Sequence, residues 1–280
     1  MEMTYKGLRV EYLEEGSGPL VVLLHGWGSN KELYGSLIKT LAVKYRVVAP
    51  DMPGFGRSQE PKEAWCVDDY CDFVEGFVQE LLGSEHGDAS AKGYSPTAND
   101  KKKDNVTLPK VILAGHSHGG RVLIKLLGGR KLPFEVSKLI LIDSAGLVPE
   151  KTPEQLRRIK RYKMGKKLLG LPPVKLLFPN ALEKFQSKSG SADYRAASPI
   201  MRQSMVKVVN EDVREYLSKI KAETLLVWGD KDTATPLADG KYMESQIPGS
   251  GLAVLPGAGH FSFLDNQYQF LAVMRSFLGI

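Results

Sequence analysis

Apolar residues recur along this chain in two rhythms. Leu20-Val21-Val22-Leu23-Leu24 is apolar at every position, the pattern of a strand buried on both faces. Leu8 to Leu13 alternates like an edge strand. Further short runs at Tyr45–Ala49, Lys110–Ala114, Ser137–Ile142, Thr224–Trp228 and Gly251–Leu255 predict strands. Between them, apolar residues spaced three and four apart predict helices over Lys31–Val43, with Asn30 as its N-cap, over Trp65–Leu82 and over Asn266–Leu278. Arg121 to Leu127 also reads as helix. Alternation of this kind implies an α/β fold, a mostly parallel central sheet with helices on both faces. Ligands then bind at the carboxyl ends of the strands.

Two segments break the rhythm. Residues 84–108 are rich in Ser, Gly, Asp, Asn and Lys and show no apolar period. They read as a mobile surface insertion, with Lys101-Lys102-Lys103 as a solvated patch. Residues 148–220 replace strands with helical sequence, and Thr152-Pro153-Glu154-Gln155 has the form of a helix start. This organisation divides the chain into a core of 1–147 and 221–280 and a helical cap of 148–220 over the sheet.

Composition narrows the class. With 280 residues, 42% hydrophobic and 25% charged, the chain is expected to be a globular protein with a sizeable core. The net charge of +6 comes without an aromatic-interleaved basic stripe, so nucleic acid is not expected as a partner. No apolar run approaches the ~20 residues that cross a bilayer. Met1 to Lys6 lacks the basic start and apolar core of a signal peptide. Cys66 and Cys71, five apart on one predicted helix, point to different faces, so neither a disulfide nor a metal site is expected. A reducing cytoplasm is the simplest setting.

The segment 151–188 is strongly basic, from Lys151 through Arg157, Arg158, Lys160, Arg161, Lys163, Lys166, Lys167, Lys175 and Lys184 to Lys188, against Glu154 and Glu183. Its first reading is the solvated outer face of a cap helix. The other reading is a surface that lies on an anionic membrane or steers an acidic substrate.

Candidate chemistry centres on Gly115-His116-Ser117-His118-Gly119, which follows the apolar run Val111–Ala114 and precedes the helical stretch. Strand, tight turn and helix hold a serine in a strained conformation with its hydroxyl exposed, and the flanking glycines leave room for it. Such a serine needs a base. His116 and His118 adjoin it on the turn and should diverge from its hydroxyl, His86 lies in the insertion, and His25 ends an early strand. His260, in the loop Pro256-Gly257-Ala258-Gly259-His260 after the last strand, is the expected base. The carboxylate that orients it is Asp143, Asp230 or Asp232, each of which follows Ser117 and precedes His260. Two backbone N–H groups must hold the oxyanion, and the expected donors are His118 and, from His25-Gly26-Trp27-Gly28, Trp27. His116-x-His118 lacks a third ligand, so no metal and no cofactor is expected.

With these residues placed, the chain resembles the α/β-hydrolase fold superfamily, in its capped serine-nucleophile branch. The resemblance rests on His25-Gly26-Trp27-Gly28, Asp51-Met52-Pro53-Gly54-Phe55-Gly56-Arg57-Ser58, Gly115 to Gly120, Gly229-Asp230-Lys231-Asp232 and Gly257-Ala258-Gly259-His260, in that order. It implies a helical cap inserted after the sixth strand, and it favours Asp232 as the acid, with Thr235-Pro236 following in the usual style. The insertion at 84–108 departs from the family's short connection. The function implied is a serine hydrolase that cleaves a small carboxylic ester through an acyl-enzyme. A C–C bond hydrolase on a diketone-like substrate and a slow-turnover small-ligand receptor are the alternatives. A small molecule is the expected partner, and the oligomeric state is left open.

Overall fold

The computed structural model describes residues 1–84, 108–149, 152–181, 185 and 191–280. Eight strands form one sheet: β1 (Glu2–Tyr5), β2 (Leu8–Glu15), β3 (Leu20–Leu24), β4 (Arg46–Pro50), β5 (Lys110–His116), β6 (Glu135–Ile142), β7 (Glu223–Gly229) and β8 (Gly251–Leu255). Their spatial order is β1-β2-β4-β3-β5-β6-β7-β8. β1 and β2 pair antiparallel, as do β2 and β4, and every later pairing is parallel.

Alternation of side chains across the pleat explains the all-apolar strands. Val22 and Leu24 enter a core on one face with Leu113, Leu139 and Leu226. Val21 and Leu23 enter a second core on the other face with Ile112, Ile140 and Val227. Helices cover both faces. A 3-10 turn, Lys31–Tyr34, leads into α1 (Gly35–Leu41), followed in chain order by α2 (Val67–Ser84) and α3 (His118–Gly129). Between β6 and β7 lie α4 (Pro153–Leu169), α5 (Pro172–Leu177), α6 (Ala192–Ala196), α7 (Pro199–Val209) and α8 (Arg214–Leu217). α9 (Leu237–Gln246) separates β7 from β8, and α10 (Ser262–Asp265) and α11 (Gln267–Leu278) end the chain. Among the described residues no helix is long and apolar enough to cross a membrane.

The register sets the level of the site. Leu24 pairs with Gly115, His116 with Ile142 and Ile142 with Val227. The residues that follow β3, β5, β6 and β7 therefore leave the sheet along one edge.

Several expectations are corrected. Leu8–Leu13 is not an edge strand, because β1 pairs outside it through a hairpin turn at Lys6-Gly7, both at positive φ (45° and 80°). That is the backbone of a two-residue hairpin, here built on Lys-Gly in place of the usual Asn-Gly. The helix expected over Lys31–Val43 begins as a 3-10 turn, with the Asn30 side chain accepting from the Glu32 N–H at 2.9 Å, and stops at Leu41. The helix expected over Trp65–Leu82 runs from Val67 to Ser84. Cys66 therefore precedes this helix and only Cys71 lies on it, and both thiols are free. Of the expected insertion at 84–108, residues 85–107, with His86 and Lys101–Lys103, lie outside the described residues.

The Asp51–Ser58 segment braces the same edge. Asp51 is fully buried and accepts from the Lys31 N–H at 2.8 Å, the Lys31 ammonium at 2.5 Å and the Arg57 N–H at 2.8 Å. Burial opposes its charge, but these donors outweigh that penalty and hold the carboxyl below its ordinary range. Breaking a buried pair leaves one charge uncompensated. Lys31→Met is therefore expected to destabilise the fold by about 3 kcal/mol. Urea denaturation measures this, and a loss under about 1 kcal/mol would mean that the two N–H donors suffice.

Candidate active site

Ser117 sits at φ 49° and ψ −110°, a strained conformation for a residue with a side chain. Backbone hydrogen bonds hold it there from both sides. Its N–H donates to the Ile142 carbonyl at 3.0 Å, and its own carbonyl accepts from Ala145 at 3.0 Å and Arg121 at 3.1 Å. The turn is too tight for side chains on its flanks. A Cβ on Gly115 would lie 2.6 Å from the Gly119 carbonyl carbon, and one on Gly119 would lie 2.4 Å from the Leu24 oxygen.

The loop after β8 brings His260 over this turn. Its Nε2 lies 3.0 Å from Ser117 Oγ, and its Nδ1 lies 2.8 Å from Asp232 Oδ2. A carboxylate only accepts, so Nδ1 carries the proton and Nε2 faces the serine hydroxyl as an acceptor. Asp232 is buried after β7. Its Oδ1 accepts from the Ala234 and Thr235 N–H groups at 2.8 and 3.0 Å, and its Oδ2 accepts from the Thr235 hydroxyl at 2.7 Å. Burial alone would raise its pKa, but the bonds from His260 and Thr235 outweigh it and keep the carboxyl below its ordinary value.

The three carboxylates that the sequence leaves open divide the His260 loop among them. Asp232 takes the ring itself. Asp230 Oδ1 accepts from the Gly257 N–H at 2.7 Å, three residues before His260. Asp143 Oδ2 accepts from the Ser262 N–H at 2.9 Å, two residues after it, while Oδ1 takes the Gly229 N–H at 2.9 Å. Burial pushes the Asp143 carboxyl up to about 6.

The other histidines take different positions. His116 is buried and its Nε2 lies 2.7 Å from the His260 carbonyl oxygen, so that nitrogen donates and supports the loop from below. The His118 ring is buried among Trp27, Phe55 and Tyr70, and among the described residues neither ring nitrogen has a partner. His25 donates from Nδ1 to the Gly26 carbonyl at 2.7 Å and accepts at Nε2 from the Met52 N–H at 2.9 Å. A trans peptide is planar, with its C=O and N–H pointing opposite ways. Pinning the Gly26 carbonyl therefore fixes where the Trp27 N–H points. Gly26 abuts the serine, since a Cβ on it would lie 3.2 Å from Ser117 Cβ. Among the described residues, neither the Trp27 N–H nor the His118 N–H finds an acceptor.

Two contributors escape the sequence reading. Thr235 Oγ1 lies 2.7 Å from the Asp232 carboxylate and 3.0 Å from the Asp143 carbonyl, two acceptors that share its one proton, and 3.2 Å from His260 Nδ1. His25 acts as a backbone anchor, and its place directly before a Gly-x-Gly turn is the sequence signal for that role. A cavity of about 1000 Å³ opens above Ser117 and His260. Trp27, Leu147, Met205, Val208, Val209 and Leu264 give it an apolar wall, and Asp193 and Asp239 also face it. Among the described residues no group of three or more His, Cys, Asp or Glu side chains is placed to hold a metal ion.

Residues 21–273 match the Alpha/beta hydrolase family. The chain belongs to this family. Within it, the chain is 27% identical over 285 residues to a 2-hydroxy-6-oxo-6-(2'-aminophenyl)hexa-2,4-dienoic acid hydrolase of Metapseudomonas resinovorans, covering 97% of this chain and 88% of the relative. It is 24% identical over 277 residues to a pimeloyl-[acyl-carrier protein] methyl ester esterase of Nitrosomonas europaea, covering 92% and 94%. A solved membrane phospholipase A, a bacterial virulence factor, superposes with a TM-score of 0.70 over 100% of this chain and 85% of its own. At 24% identity that likeness is one of fold alone. The chain is a hydrolase on this fold.

The buried imidazoles give the molecule a pH signature. Burial lowers His25 to about 4 and His116 to about 3. The unfolded chain binds these protons near pH 6.5, before the folded chain does. Stability present above pH 6.5 is therefore lost as pH falls toward 4. Asp143 acts oppositely, because its raised carboxyl favours the folded state as pH falls from about 6 to 4. His118, whose pKa burial also holds well below its ordinary value, adds to the two, and the three imidazoles outweigh the Asp143 carboxyl, so the unfolding free energy is expected to fall on acidification from pH 6.5 to 4. His25→Gln should make that slope shallower by about 1 kcal/mol per pH unit. Urea denaturation at stepped pH reads it, and an unchanged slope would count against the buried neutral imidazole.

Proposed function

We propose that this hydrolase cleaves a small carboxylic ester through an acyl-enzyme formed on Ser117. The observation that carries the reading is the continuous chain from Ser117 Oγ through His260 to Asp232, with contacts of 3.0 and 2.8 Å. Ser117 Oγ attacks the ester carbonyl while His260 Nε2 takes its proton. The imidazolium that forms is stabilised by Asp232, whose second oxygen is already satisfied by two backbone N–H groups. The N–H groups of Trp27 and His118 hold the oxyanion. His260 then protonates the departing alcohol, and a water activated by the same ring clears the acyl group. The helical segment 148–220 serves as the cap, since Ser191, Met205, Val208 and Val209 supply one wall of the cavity.

The cavity wall favours a neutral ester over a substrate that carries a carboxylate. Asp193 and Asp239 both face it. Arg121, also on the wall, donates to the backbone carbonyls of Val208 and Glu211 at the end of α7. The similarity to a dienoic acid hydrolase keeps C–C cleavage as the second reading.

Nitrophenyl esters of graded acyl length, assayed beside vinylogous diketones, test the proposal. Ester turnover with a pre-steady-state burst is expected, and Ser117→Ala or His260→Ala should lower kcat/KM by about 10³-fold or more. Asp232→Asn should cost a similar factor by leaving the ring in the wrong tautomer. Faster cleavage of the diketone assigns a C–C hydrolase. Ligand binding without turnover assigns a receptor. Full esterase activity in Ser117→Ala would remove the serine from the mechanism.

A further inference from the structure

The hairpin of α4 and α5 concentrates charge as no other part of the chain does. Residues 152–181 hold eight Lys or Arg and one acid, Glu154, an excess of seven where the whole chain has an excess of six. The remainder is therefore close to neutral. No α4 cation forms an ion pair with a described residue.

The same hairpin also concentrates exposed apolar side chains. Of eighteen large apolar side chains that are exposed among the described residues, seven lie between 156 and 178. Successive residues of a helix are rotated by about 100°. Ile159, Tyr162, Gly165 and Leu169 thus share one arc of α4 and are half-buried, with Tyr162 stacked on Phe185 at 5.3 Å. Leu156, Met164 and Leu168 share the opposite arc, and they are 53%, 60% and 55% exposed. Lys160, Lys163 and Lys167 lie among them on that outward face. Leu176, Leu177 and Phe178 at the end of α5 are 85%, 73% and 63% exposed. Near the α4–α5 corner, Lys163, Lys166 and Lys167 line a shallow open depression with Gly170 and Leu171.

A face that only meets water has no use for large apolar side chains among its cations. We propose that the α4–α5 hairpin docks on the surface of an anionic lipid bilayer. The Lys and Arg groups meet headgroup phosphates, and Leu176, Leu177 and Phe178 enter the interface. A nucleic acid would use the cations and leave those three side chains in water. Docking would also bring lipid close to the cavity, because the Tyr162 hydroxyl lies 3.5 Å from that of Tyr194, whose neighbour Asp193 faces the cavity.

Sedimentation of the full chain with vesicles tests this without reference to the hydrolytic reaction. Vesicles of phosphatidylcholine with about one third phosphatidylglycerol should bind at least about tenfold more tightly than phosphatidylcholine alone, and added salt should weaken the difference. Leu176→Glu, Leu177→Glu and Phe178→Glu combined should lose about tenfold in binding or more, as should Lys160→Gln, Lys163→Gln and Lys167→Gln combined. Thermal unfolding like that of the parent shows that either variant still folds. Absence of binding to the anionic vesicles, equal binding to both vesicles, or unchanged binding in either folded variant would overturn the proposal. So would equal affinity for a DNA duplex, which would assign a general polyanion surface.

Discussion

The site depends on one steric constraint, the close approach of three backbones at the Ser117 turn. The end of β3, the start of α3 and the turn itself meet so tightly that a Cβ on Gly119 would sit 2.4 Å from the Leu24 oxygen. No side-chain rearrangement relieves a clash of backbone with backbone. The approach lets α3 start directly at His118, so its first N–H groups are left without helical acceptors. The same approach exposes the Ser117 hydroxyl at the sheet edge. Strain at φ 49° persists because the bonds to Ile142, Ala145 and Arg121 over-determine it.

Against this rigid turn, the histidine arrives on a loop, and loops are soft unless tied. Here the ties are carboxylates. Asp230 holds Gly257, Asp143 holds Ser262 and Asp265 holds the Gly259 N–H at 2.8 Å. His116, one residue before the serine, holds the carbonyl of His260 itself. The imidazole is thus fixed by its own backbone as well as by Asp232, and the alignment of serine and histidine is set on the serine's own strand.

What the sequence could tell follows from how local each signal was. The elbow was legible because strand, glycine spacing and helix lie within a few residues. The parallel sheet was legible from all-apolar runs such as Leu20–Leu24. The choice among Asp143, Asp230 and Asp232 was not, since all three end strands at one sheet edge and all three serve the same loop. Only distances separate the carboxylate on the ring from those on its flanking N–H groups. β1 was hidden because Glu2–Tyr5 is short and half-exposed, and its Lys-Gly turn lacks the usual residue types. α9 was hidden because Gly240 stands in its middle, where it lets the helix pack on the Trp228 ring.

The sequence motif Asp51–Ser58 carries no reacting group, yet the structure joins it to the reaction centre through one imidazole. Asp51 fixes the loop after β4 by binding Lys31 and the Arg57 N–H. The next residue, Met52, donates its N–H to His25, and His25 in turn pins the Gly26 carbonyl. The direction of the Trp27 N–H is therefore set by a buried ion pair two loops away. This relay works only while His25 is neutral, with Nδ1 as donor and Nε2 as acceptor, because a protonated ring would turn a second N–H against that of Met52. Complete burial, which lowers His25 to about 4, keeps the ring in that form across the neutral range.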